Sequence, residues 1–368
     1  MDNIFMRKIG FLLVILVLVL NSCATNRVSD SKWTYSHHEG DLKESNDIRY
    51  YFIDENGEEH SFSMYTDQDY SLQNKLKIGE DYFLDVEDDT ILNLEETDKN
   101  TSSFTPIVSG TPGEKTIKNL LSTAFSPVGS TLYVYGGGWN WQDNGSGNEA
   151  RRIGLSKEWA SFFYSQDAGY NYKDEKYYPQ SGINQCHDKG LDCSGYMGWI
   201  IYNVFNTEDG MEGFVGSSTK MARRLSEKGL GEWTQDYTLE DIKPGDIISV
   251  SGHVWMAVGV CSDGSVVAIH STVSESREGN KGGGPELSAI AASKDSEAYI
   301  IADYYISTYY PKWYDRYPVA LKNPDDYFLK EGENMGKFSW YLDKESGMSD
   351  PDGYLKMSPE EILSDLFK

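Results

Sequence analysis

The stretch GDIISVSGHVWMAVGVCSDGSVVAIHSTV, residues 245–273, decides the fold. Three runs rich in β-branched and aromatic residues are separated by Ser251-Gly252 and by Ser262-Asp263-Gly264-Ser265. Runs of that kind between glycine turns read as antiparallel strands. His253 opens the second run and His270 closes the core of the third. Direct opposition of the two would need a turn centred midway between them, and the Asp263-Gly264 signal falls further on. A bulge or a longer loop reconciles the two positions, whereas a slip of one residue puts the rings on opposite faces. AYIIADYYI, 298–306, also reads as a strand. Upstream, helical patterns cover 114–125, 193–205 and 218–228. Helices first and strands later give an α+β fold, with helices packed on an antiparallel sheet.

The helix at 193–205 belongs to GLDCSGYMGWIIYNVF, residues 190–205. Tyr196, Trp199, Ile200, Asn203 and Val204 recur at helical spacing and form one buried stripe. Cys193 sits in the first turn, where unpaired N–H groups and the helix dipole favour negative charge. That placement predicts a lowered thiol pKa, as a nucleophile needs. On position alone a buried core thiol is an equal reading. A nucleophile also needs a base. Of six histidines, His37, His38 and His60 lie in the N-terminal portion and His187 in a long excursion. His253 and His270 remain, as base and as the group that orients it.

The ordered set LDCSGYMGWIIY, LEDIKPGDIISVSGHVWMAVGV and VVAIHSTV resembles the NlpC family of papain-like cell-wall cysteine peptidases. The resemblance spans roughly residues 115–275. It implies that Cys193 is the nucleophile, His253 the base and His270 the third member. LYVYGGG looks like the family's Tyr-x-x-Gly-Gly segment, so Tyr133 matches its site-lining tyrosine. Asp192 and Ser194 match positions that in some members hold the free amine of a stem peptide. STKMARRL followed by GEWT resembles the helix and turn between the cysteine and Pro-Gly-Asp. The departure is the insertion 138–190, which separates Gly137 from Cys193 by more than the family pattern does. The segment before Tyr133 also lacks a proline often seen there.

What the resemblance implies is a peptidoglycan hydrolase, a cysteine endopeptidase cutting stem-peptide amide bonds after γ-D-glutamate, with no metal or cofactor. An N-acetylmuramoyl-L-alanine amidase or cross-bridge peptidase on the same fold is the alternative within enzymes. A catalytically inactive wall-binding lipoprotein is the alternative outside them, and the intact Cys193, His253 and His270 argue against it.

The N-terminus indicates an extracytoplasmic, membrane-anchored protein. Met6-Arg7-Lys8 precedes the apolar run Ile9 to Leu20, which is short for a bilayer span and reads as a secretory signal over 1–22. Leu20-Asn21-Ser22-Cys23 resembles a bacterial lipobox, implying lipidation of Cys23 and tethering to a bacterial membrane. With Cys23 lipidated, Cys186, Cys193 and Cys261 remain. Cys186 and Cys261 are either paired or free. Acidic residues outnumber basic ones 58 to 33, for a net charge of −25, and no basic cluster suggests a nucleic-acid partner.

The chain then reads as a tether over 23–48 and a small β-rich domain over 49–96. RYYFIDENGEEHSFSMY and EDYFLDVEDDTILNLEE supply two hairpins to that domain, the first turning at Asn56-Gly57. A linker over 97–106 follows, then the catalytic domain over 107–320, then an acidic C-terminal extension over 321–368. The extension ends in a helix with Ser358 and Glu361 as a capping box and Pro359 at its first position. LSKEWASFFYSQ in the insertion is an amphipathic helix pattern through Trp159, Phe162, Phe163 and Gln166. Its aromatics either wall a substrate groove or pack the excursion onto the main domain.

Overall fold

The computed structural model describes residues 33–39, 49–54, 56–64, 81–87, 90–96, 104–140, 142–173, 187–328, 332–342 and 347–368. The segment read as a secretory signal, Cys23 and Cys186 lie outside the described residues. The chain divides into two compact units, Met1–Thr101 and Ser102–Lys368.

The first unit is a closed barrel of β1 (Trp33–Glu39), β2 (Arg49–Ile53), β3 (Glu59–Met64), β4 (Asp81–Glu87) and β5 (Thr90–Glu96), in the order β1-β2-β3-β5-β4. The two expected hairpins are β2–β3 and β4–β5. At the first turn Gly57 has φ +83, and the Asp54 carboxylate accepts from the amides of Asn56 and Glu58 at 2.9 and 2.8 Å. Tyr50, Phe52, Phe62, Tyr82 and Leu84 alternate into the interior, with Phe52 edge-on to both Phe62 and Tyr82. Strand β1 comes from the stretch read as a tether, which corrects that boundary. Closure requires it: β1 pairs with both β2 and β4, and without it those strands would present open edges.

The second unit is mixed α+β. Its strands are β6 (Gly231–Thr234), β7 (Ile247–Val250), β8 (His253–Val260), β9 (Val266–Glu275), β10 (Lys281–Ile290), β11 (Leu321–Lys322) and β12 (Gly336–Trp340). They form one sheet in the order β11-β10-β9-β8-β7-β12-β6, antiparallel except between β10 and β11. The helices are α1 (Ile117–Phe125), α2 (Lys157–Ser165), α3 (Cys193–Phe205), α4 (Met221–Glu227), α5 (Glu297–Tyr309), α6 (Pro311–Arg316), α7 (Pro324–Tyr327) and α8 (Pro359–Leu366).

The β8–β9 register resolves the question of the two histidines. Met256 pairs with Ile269 and Ala257 with Ala268, then a bulge shifts the pairing to Gly259 and Val267. Continuing the inner register sets Trp255 opposite His270. His253 lies two residues from Trp255 and therefore projects from the same face as His270. Val254, Met256, Ile269 and Leu287 occupy the other face and share a core with Met197, Ile200 and Ile201 of α3. Trp255, Ala257, Ala268 and Ile290 join a second cluster with Ile248, Val250 and Tyr237.

Helix α3 is buried along almost its whole length. The Tyr196 hydroxyl donates to the Ala124 carbonyl at 2.6 Å and the Trp199 indole to Gly154 at 3.1 Å, which ties α3 to α1 and to the insertion. Trp159, Phe162, Phe163 and Tyr170 of the insertion are buried, and Trp159 stands edge-on to Trp199. These aromatics pack the excursion onto the domain.

Two expectations are overturned. AYIIADYYI is helical, lying within α5. Ser296 caps that helix by accepting from Tyr299, and Ala298, Ala302, Tyr305 and Ile306 recur at helical spacing to make its buried side. The segment 321–368 is not a tail but part of the sheet. Strand β12 inserts between β7 and β6, where Phe338 pairs with Ile247 on one side and Trp233 on the other. Lys337 in β12 forms a buried ion pair with Asp246 at 3.2 Å. The final helix carries the expected capping box between Ser358 and Glu361.

Candidate active site

The turn into α3 is built by contact between glycine backbones. Asp192 is the N-cap: its carboxylate accepts from the Gly195 amide at 2.7 Å and from the Ser194 hydroxyl at 2.9 Å. The Asp192 amide donates to the Gly137 carbonyl at 3.0 Å. Gly138, at φ +93, lies so close that a Cβ on it would fall 2.5 Å from the Gly195 Cα. The Trp139 indole donates to the Ser194 hydroxyl at 3.1 Å. The YGGG segment and the Asp-Cys-Ser-Gly turn thus hold each other.

Cys193 is buried, and its sulfur receives the amides of Val254 and Ser194 and the hydroxyl of Ser218. Burial, and after it the Asp192 carboxylate, pushes the thiol up to about 12 against those donors. This overturns the lowered pKa expected from the helix start. Desolvation and a neighbouring carboxylate outweigh the dipole when the thiol lies inside the protein. Asp192 is itself raised to about 6 by burial, against the donors that surround it.

Tyr133 is fixed by its backbone. Its amide donates to Gly283 at 2.7 Å and its carbonyl accepts from the Tyr170 hydroxyl at 2.7 Å. Its phenol is held well above the ordinary range by burial, then by Cys193 and Asp192. The edge of its ring meets Tyr172 at 5.5 Å between centroids. Tyr133, Tyr135, Trp139, Asp192, Cys193 and Ser218 line a cavity of about 410 Å³.

The two histidines form a hydrogen-bonded pair. His253 Nε2 lies 2.8 Å from His270 Nδ1, and His270 Nε2 lies 2.9 Å from the Ser288 hydroxyl. Ser288 donates to Glu286 at 3.2 Å, and Ser274 donates to the same carboxyl oxygen at 2.5 Å. Register explains the row, since Glu286 pairs with His270 across β9–β10 and Ser288 lies two residues along the same strand. Burial, followed by Lys322, pushes His253 down to about 3. His270 is held well below the ordinary range by burial, His253 and Lys322. Both rings are neutral at pH 7. Tyr327 covers them, its ring 5.4 Å from His253 and 5.7 Å from His270.

Cys193 packs with Val254 and Met256 on one face of β8, His253 projects from the other, and at the head of the strand the Val254 amide reaches the sulfur. Among the described residues no hydrogen bond joins the Cys193 sulfur to the His253 ring. Ring nitrogen Nε2 of His253 is engaged by His270, so Nδ1 is the nitrogen left for a proton from the thiol.

Tyr133, Asp192, Cys193 and Ser194 therefore share one cavity, and His253 and His270 form one pair. Motif reading missed Glu286, Ser288, Lys322, Tyr327 and Ser218. Glu286 and Ser288 carried one usable signal, polar residues at period two in PELSAI. Among the described residues, Asp54, Glu58 and His60, and Cys261, Asp263 and Glu297, have metal-ligand spacing. Asp54, Asp263 and Glu297 already accept from nearby backbone amides. Cys193 and Cys261 are free buried thiols. Compared with known proteins, the chain matches no family model, no curated protein and no solved structure.

Proposed function

We propose that this chain is a papain-like cysteine peptidase of the NlpC type, acting outside the cytoplasm on the peptide stems of bacterial peptidoglycan. The observation that supports it best is that the Cys193 sulfur lies at the amide of Val254, the residue that follows His253 of the His253–His270 pair. The cysteine is capped by Asp192 and lines an open cavity, its sulfur at the amide that follows His253. The lipid anchor at Cys23, and the stem peptide bonded through Asp192 and Ser194, belong to the same reading.

The chemistry starts from a neutral pair. As substrate enters, Cys193 Sγ attacks the amide carbonyl carbon while its proton passes to His253 Nδ1. The tetrahedral oxyanion is stabilised by N–H groups at the start of α3, including that of Cys193. His253 then protonates the departing amine, leaving a thioester. Water, deprotonated by His253, attacks the thioester carbon, and the proton returns to sulfur.

Mass spectrometry of purified muropeptides incubated with the protein and with Cys193→Ala tests this. Fragments newly ending in D-glutamate, made only with the thiol present, are the expected result. A new free lactyl group on muramic acid would instead mean an amidase. Equal cleavage by Cys193→Ala would sink the peptidase reading.

A further inference from the structure

Two neutral histidines in contact leave a choice open. In the pair, one ring nitrogen donates and the other accepts. If His253 Nε2 carries the proton, Nδ1 is a lone pair able to take the thiol proton. If His270 Nδ1 carries it, the His253 proton sits on Nδ1, and the base is blocked. Nothing within the pair selects between these arrangements.

What lies behind the pair does select. We infer that Ser288 and Glu286 are positioning residues that fix the tautomers of both histidines and so hold His253 Nδ1 unprotonated. An ionised Glu286 only accepts. Ser288, 3.2 Å from it, must point its hydroxyl proton at the carboxylate. The Ser288 oxygen then has only lone pairs for His270 Nε2 at 2.9 Å, so that nitrogen carries a proton. His270 Nδ1 is therefore bare and accepts from His253 Nε2 at 2.8 Å. One carboxylate thus sets the direction of three hydrogen bonds. It also places a negative charge behind the imidazolium that forms when His253 takes the thiol proton.

The same row can reverse. A protonated Glu286 donates to Ser288, which can then donate to His270 and turn both rings over. The groups facing Glu286 decide how readily this happens. They are His270 and Ser274 on β9, Ser288 on its own strand, Lys322 on β11, Tyr317 after α6 and Tyr327 on α7. Burial raises Glu286 to about 7, and Lys322 acts against that rise. Lys322 is held in place by the Thr272 hydroxyl at 3.1 Å. The carboxylate form, and with it the competent tautomer, gains population as pH rises through neutrality.

This inference rests on Cys193 and His253 acting as nucleophile and base, but its test does not need activity. The full chain is labelled with ¹⁵N-histidine, and two-bond ¹H–¹⁵N spectra report each ring's tautomer. At pH 8 the expected result is an Nε2 proton on both His253 and His270. Ser288→Ala and Glu286→Gln should move both rings toward the Nδ1-protonated form, with Ser288→Thr restoring the original state. In wall hydrolysis, Glu286→Gln should lower kcat by about 10²-fold, on the scale of what a general base supplies, with little change in KM. Unchanged tautomers in both Ser288→Ala and Glu286→Gln would overturn the inference. Full hydrolysis by Cys193→Ala would remove the peptidase reading and leave the tautomer result standing.

Discussion

Gly195 and Gly137 touch through their backbones: a Cβ on Gly195 would fall 1.9 Å from the Gly137 carbonyl oxygen. Neither side can yield, because Gly195 lies in the first turn of α3 and the Gly137 carbonyl holds the Asp192 amide. Gly195→Ala should therefore cost about 1–3 kcal/mol, the usual range for overpacking, and displace Cys193 from its cavity. Thermal unfolding together with muropeptide hydrolysis checks this. A variant with normal melting and full activity would show that the contact is dispensable.

The thiol of the resting protein should react slowly. With Cys193 raised to about 12, alkylation by iodoacetamide should climb through pH 10 and not level off near neutrality. Asp192→Asn keeps an oxygen for the Gly195 amide and removes the charge beside the sulfur. It should speed alkylation of Cys193 at pH 9, read by peptide mass spectrometry to separate it from Cys261. An unchanged rate would mean that burial alone sets the thiol.

Stability should carry the signature of Glu286. Its folded pKa, about 7, lies above its ordinary 4.5, so between those values the folded state binds more protons than the unfolded. Its contribution is present at low pH and is lost as pH rises through 7. His253 and His270 oppose this below about 6.5, since their folded pKa values are lowered and the unfolded chain binds the protons. The comparison with Glu286→Gln isolates the carboxyl. Relative to the variant, wild type should lose melting temperature between pH 5 and pH 8. Parallel curves would contradict the raised pKa.

Tyr327 should act as a water shield. Its ring packs over both histidines, and Trp255 donates to its carbonyl at 3.2 Å. Tyr327→Ala admits solvent, so both imidazole pKa values should rise toward 6.5 in a histidine NMR titration. Tyr327→Phe should leave them low. Rings that stay neutral down to pH 4 in the alanine variant would assign the shielding elsewhere.

How much of this was legible depended on whether local pattern and tertiary pairing agreed. The α3 helix and the β7–β8–β9 strands announce themselves because helical spacing, strand-forming runs and glycine turns all point one way, whereas the capping role of Asp192 emerged only in the structure. AYIIADYYI misleads because Tyr and Ile favour strands, while its helical spacing shows only once Ala298 and Ala302 have a surface to pack on. Strand β10 hides because Gly282, Gly283, Gly284 and Pro285 break its pattern. With β10 hidden, nothing linked Glu286 and Ser288 to His270, since that link is a cross-strand pairing. The thiol misleads for another reason: a helix start is visible in sequence, but the burial that overrides it is not.

Strand β12 has a consequence for how the protein comes into being. The strands it separates, β6 and β7, are close neighbours in sequence, yet they meet only through residues 336–340. A nascent chain can form α3 and the β7–β8–β9 meander, but β6 and one edge of β7 stay open until residues 336–340 have been made. Tyr327, which covers the histidines, also arrives late. Completion of the sheet therefore waits on residues 336–340, made long after the two strands that flank them.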